Sequence, residues 1–184
     1  MGYLSFIGTD SIMDRDVARH TMALVDWAST KIKRVVKSTL AAEAASFSFG
    51  YDKAVYLRAI LGELENGPRI EWEDHLADVP QLSSTDCRSL YDLLEKDTGM
   101  PQEKRVALDV YDVRQYLAGG DEKEWLPTGM MMADVLTKHR PWMGPMVDAL
   151  LGDIVWRETP EERDVRPVGQ QRHRMKAECT DVDD

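Results

Sequence analysis

Along residues 35 to 64 the apolar side chains recur at helical spacing: Leu40, Phe47, Ala54, Leu57, Leu61 and Leu64 share one stripe, with Tyr51 near its edge. A period of 3.6 residues predicts a long amphipathic helix, with Ser38 or Thr39 as its N-cap and the run ENGP at residues 65 to 68 as its stop. Ahead of it the period changes. Residues 2 to 8 alternate, with Tyr3, Ser5 and Ile7 on one face and Leu4 and Phe6 on the other, and residues 23 to 29 carry Leu24, Val25 and Trp27. This pattern predicts two strands, able to pair antiparallel across a polar, loop-like stretch at residues 10 to 20.

Residues 69 to 86 are sparse in apolar side chains and interrupted by Pro80, which predicts a loop or weak helix and then a short strand ending near Asp86. Helical spacing returns at residues 87 to 96, where Leu90, Leu93 and Leu94 face inward. It recurs at residues 105 to 117, where Val106, Val110, Val113 and Leu117 repeat. A short strand at residues 124 to 126 comes next, followed by a helix at residues 130 to 138, capped by Thr128 and ended by Pro141, and a last short helix within residues 142 to 156. This order of elements is that of a mixed α/β domain over residues 1 to 156. Residues 157 to 184 are charged, broken by prolines and poor in aliphatic side chains, the composition of a disordered tail.

A chain of 184 residues with 43% hydrophobic content can bury the core of one ordinary domain. No apolar run approaches a membrane span and the N-terminus lacks a secretory pattern, so a soluble intracellular protein with no membrane partner is expected. Cys87 and Cys179 stand alone, which suits free thiols better than a disulfide framework or a zinc site. Trp27, Trp72, Trp125, Trp142 and Trp156 are read as core or rim packers. The formal net charge of −10 argues against a protein whose main task is non-specific nucleic-acid binding. It leaves room for a local patch. KIKRVVK at residues 31 to 37 offers Lys31, Lys33, Arg34 and Lys37, either as a solvated turn or as contacts to a phosphate backbone.

One position breaks the helical stripe. Glu43 lies three residues after Leu40 and four before Phe47, so a carboxylate points where apolar side chains point. Neither N-cap choice makes it a capping-box partner, since that position falls on Ala41 or Ala42. Two further acids sit at element ends: Asp86 closes a strand before a helix it could cap, and Asp134 lies near the start of the helix after the three methionines, where an acid suits the helix dipole. Each acid has a structural explanation and a functional one. A helix acid, a strand-end acid and a helix-start acid can also converge at one edge of a sheet. Clustered carboxylates repel one another unless a cation such as magnesium or manganese compensates them.

The runs VVKSTLAAE (35 to 43), STDCRSLYD (84 to 92) and ADVLTK (133 to 138) resemble, in that order, the ribonuclease H domain at the end of copia-type retrotransposon polyproteins. KRVALDVYDVR at residues 104 to 114 and the strand containing Asp26 and Trp27 are similar to that family too, so the resemblance covers roughly residues 2 to 156. It implies a ribonuclease H-like mixed sheet with flanking helices and metal-dependent hydrolysis of the RNA strand of RNA/DNA hybrids. It also implies Glu43, Asp86 and Asp134 as catalytic carboxylates and ligands of two Mg2+ or Mn2+ ions, in a cytoplasmic retroelement particle or the nucleus. In the family the first catalytic aspartate lies on a central strand upstream of a glycine-aromatic strand like Gly2-Tyr3-Leu4. The expectation is therefore a fold truncated at its N-terminus, without that strand and its acid; Asp10 falls near the hairpin turn instead. A preceding polyprotein segment or another chain would supply the strand. The alternative is a catalytically silent remnant that acts as an interaction or structural protein.

Overall fold

Alternation at the start of the chain does build strands: β1 (Gly2–Gly8), the two-residue β2 (Arg19–His20) and β3 (Met22–Ser29). The computed structural model describes residues 1 to 137 apart from 15, 18, 97 and 98, with residue 10 as backbone alone, together with the backbone of residues 154 and 155. The tail expected at residues 157 to 184, and the last helix expected within residues 142 to 156 except for positions 154 and 155, lie outside the described residues. β1 and β3 pair antiparallel from Gly2 opposite Ser29 to Gly8 opposite Met22, with a register irregularity between Ser5 and Phe6. On one face of this hairpin Leu4 and Phe6, with Ile12, pack on buried Met22 and Met132. The other face meets the first helix.

That helix, α1 (Thr39–Asn66), starts where Ser38 accepts the Ala41 N–H at 3.1 Å and stops at Gly67, whose φ of 77° suits glycine. It lies close on β1: a Cβ added to Gly50 would stand 3.0 Å from the Tyr3 Cβ. The buried residues of α1 are Ala41, Ala44, Tyr51, Val55, Arg58 and Gly62; the first four join the core shared with the other helices, and of the apolar stripe Leu40 and Phe47 pack against that core from half-buried positions. Leu64, placed on that stripe by its spacing, is 77% exposed. Small residues let neighbouring elements approach: α2 (Arg88–Glu95) and α3 (Lys104–Ala118) pack here through Leu90, Leu94, Val106, Val110 and Val113.

β4 (Leu82–Thr85) pairs parallel with β5 (Glu122–Trp125), and β2 pairs antiparallel with β6 (Ile154–Val155). The result is a mixed α/β architecture of small two-stranded sheets with flanking helices, and among the described residues no strand joins β1 to β4. Two local expectations need correction. The helix expected at residues 130 to 138 is a pair of 3₁₀ turns, Thr128–Met130 and Met132–Leu136, broken by the extended backbone of Met131, and Thr128 makes no side-chain cap. The polar stretch at residues 10 to 20 holds a 3₁₀ turn, Asp10–Met13, as well as β2.

Candidate functional site

A cavity of about 580 Å³ lies between β1 and β4. One side is residues 1 to 9 and the other residues 78 to 86, in both cases without a gap in the sequence. Successive strand side chains point to opposite faces, so a cavity over one face would meet alternate residues. This one meets every residue, and so runs along the strand edges. Phe47, Gly50, Ala54, Leu57 and Leu61 of α1 form a wall, and residues 130 to 134 form another.

Glu43, Asp86 and Asp134 all line this cavity. Glu43 stands on the α1 stripe that faces the space, which is why a carboxylate and apolar side chains share one side of the helix. Asp86 does not cap α2. The capping position is Cys87, which makes no side-chain cap bond, and the Cys87 N–H is taken by Thr85 Oγ1 at 3.2 Å. The Asp86 backbone is fixed instead by the Trp125 indole, which donates to its carbonyl oxygen at 3.1 Å. Asp134 sits in the second 3₁₀ turn, where its carbonyl accepts the Thr137 N–H at 3.1 Å. Carboxylate oxygens are the donor type that Mg2+ or Mn2+ prefers. Among the described residues no group of three His, Cys, Asp or Glu side chains is placed to hold a metal, and the three acids are brought together by lining one cavity.

The basic run connects β3 to α1, and Ile32 within it lines the same cavity. Lys31, Lys33 and Lys37 are exposed. Arg34 differs, because both terminal nitrogens of its guanidinium bond the Asp109 carboxylate of α3, one of them to Oδ1 at 3.3 Å. Its charge is committed to holding the loop on α3, and three lysines remain to meet an anion.

No protein-family model matches this chain, and no curated protein or solved structure matches it. Among the described residues no helix is long and apolar enough to cross a membrane.

The site's geometry includes a residue the apolar pattern does not reveal. Arg58, 6% exposed, also lines the cavity, and its Nε–H donates to the Val79 carbonyl at 2.7 Å. One terminal nitrogen donates to Asp121 Oδ2 at 2.7 Å and to Gln81 Oε1 at 3.2 Å, and the other to the Leu76 carbonyl. The Tyr51 hydroxyl donates to the same Asp121 oxygen. A single arginine thus ties α1 to the start of β4 and to the residue before β5. The available sequence signal was its spacing, seven residues after Tyr51 on one helix face.

Burial, followed by the bond to Asp121, raises the Tyr51 hydroxyl well above the ordinary phenol value of 10.0. Burial and the 2.6 Å bond to Asp26 push Tyr3 up to about 12. Both phenols have folded values above their unfolded ones, so their contribution to stability is full below about pH 10 and is lost as pH rises through the folded values. Melting temperature should hold level to about pH 10 and then fall. Tyr51→Phe should melt lower at neutral pH yet lose less between about pH 10 and 11, as measured by circular dichroism; an unchanged alkaline slope would remove Tyr51 as its source.

Proposed function

We propose that this chain is a ribonuclease H-like domain of the copia retrotransposon type, whose ancestral reaction is hydrolysis of the RNA strand of an RNA/DNA hybrid. In its present form it binds such a hybrid without cleaving it. The observation that carries this reading is the meeting of Glu43, Asp86 and Asp134, from three separate stretches of chain, on one cavity beside a lysine-bearing loop. The finer expectation of a single ribonuclease H-like sheet belongs to this proposal, with β1 and β3 as one half and β4 and β5 as the other.

Charge supports the binding half: Lys31, Lys33 and Lys37 are exposed on the loop whose Ile32 lines the cavity, and they attract a phosphodiester backbone. The lysines contact backbone and carry no base readout.

Fluorescence anisotropy with a labelled RNA/DNA hybrid tests both halves. Affinity should fall linearly with salt on logarithmic axes, and neutralising the three lysines together should flatten that slope by roughly 2 to 3. Arg34→Ala should act through stability and not through the slope. No binding, or a slope indifferent to the lysines, would sink the reading. RNA cleavage in magnesium that disappears in Glu43→Gln would keep the family and overturn the inactivity.

A further inference from the structure

We propose that the outward face of α1 between Lys53 and Glu63 docks onto the same face of a second copy of this chain, the two helices running antiparallel about a two-fold axis. The inference stands whether or not the nuclease reading does. Tyr56 is 65% exposed and Ile60 37%, and Lys53 and Glu63 are exposed beside them. These four positions follow one another at intervals of three, four and three residues, which puts them on one stripe of the helix. The Lys53 ammonium lies over the Phe49 ring one turn earlier, 5.8 Å from its centre, and so stays on this face. The stripe is separate from the surfaces of α1 that are already in use. Val55, Arg58 and Gly62 are buried, and Ala54, Leu57 and Leu61 line the cavity.

Two apolar side chains in water do not by themselves name a partner, but the charges at the ends of this stripe do. Along the chain the order is cation, tyrosine, isoleucine, anion, and a copy running the opposite way presents anion, isoleucine, tyrosine, cation. Lys53 and Glu63 lie five residues either side of Arg58, and Tyr56 and Ile60 two residues either side. With the two-fold axis at the height of Arg58, Lys53 therefore faces the partner's Glu63 and Tyr56 faces the partner's Ile60, and the symmetry makes each contact twice. Alternating three- and four-residue spacing is the one at which helices pack side by side, crossing at about 20°. Other occupants fit less of the stripe. A parallel copy sets lysine on lysine and glutamate on glutamate, an apolar segment leaves both charges unmatched, and a basic segment meets Lys53. Four side chains from each copy cover less than the roughly 1,200 Å² at which stable interfaces begin, so the dimer is weak and forms at high micromolar concentration.

Sedimentation equilibrium of the full 184-residue chain, from about 5 µM to 500 µM, tests this. The average mass of the parent should rise with concentration from one chain toward two. Lys53→Glu and Glu63→Lys should each weaken self-association about tenfold or more, since each sets like charges together at both ends of the interface. Mixing the two variants should restore association to the parent's level, because an all-acidic stripe then meets an all-basic one; that recovery also shows both variants to be folded. Loss in each variant alone with recovery in the mixture is the signature of an antiparallel second copy. A parent that stays monomeric throughout, which would leave the face to another partner, would overturn the proposal. So would single variants that associate as the parent does, or a mixture no tighter than its components.

Discussion

Arg58→Ala is expected to lower the free energy of unfolding by about 3–5 kcal/mol, the largest loss from any single substitution in this chain. The arginine and Asp121 side chains are only 8% and 9% exposed, so removing the cation leaves a carboxylate buried against Tyr51 with its charge uncompensated. The carbonyls of Leu76 and Val79 lose their donors at the same time. Replacing both ionic partners, with Arg58→Met and Asp121→Leu, should recover only part of the loss, since those carbonyls and the Tyr51 hydroxyl stay unmatched. Urea denaturation of the parent and the two variants reads the order directly. A cost under about 1 kcal/mol for Arg58→Ala would mean that the cluster is solvated and contributes like a surface pair.

Leu90→Ala should come next, at about 2–5 kcal/mol, whereas Leu64→Ala should fall within about 0.5 kcal/mol of the parent. Leu90 is 1% exposed between α1 and α3, and the space left by its isobutyl group is closed in by Leu94, Val106 and Val110. Leu64, on the stripe that spacing alone assigns to the helix face, is mostly in water. The pair separates the two pictures of α1. Similar losses at both positions would restore the leucine stripe as the packed face.

What the chain discloses without coordinates depends on how local the cause is. The hairpin, a cap at Ser38 or Thr39 and a stop within residues 65 to 68 were readable, because alternation, a hydroxyl and a glycine act within a few residues, and the structure selects Ser38 and Gly67. The packed face of α1 was not, since Ala41, Ala44 and Gly62 bury by being small and Arg58 by being satisfied, and none of these registers as an apolar stripe. Between residues 128 and 137 the three methionines suggested a helix, but the extended Met131 splits the segment into short turns. Glu43, Asp86 and Asp134 could be named from their places at element ends and on an apolar stripe. That they line one cavity is a matter of tertiary arrangement, as is the pairing of Arg34 with Asp109 across 75 positions of chain.

The bond from Arg58 to Asp121 spans 63 positions, and this separation bears on the order in which the protein forms during synthesis. A ribosome has released α1 well before it releases Asp121, because the exit tunnel holds back the most recently made residues. Through that interval Arg58 has no carboxylate to meet and keeps its water, so α1 remains hydrated along the side that will later be sealed. Closure waits for the segment before β5, and because the contact is so distant in sequence it is slow relative to the helix itself. A nascent chain stalled before residue 121 is therefore expected to present a formed but unsealed helix, the state on which a chaperone or a protease would act.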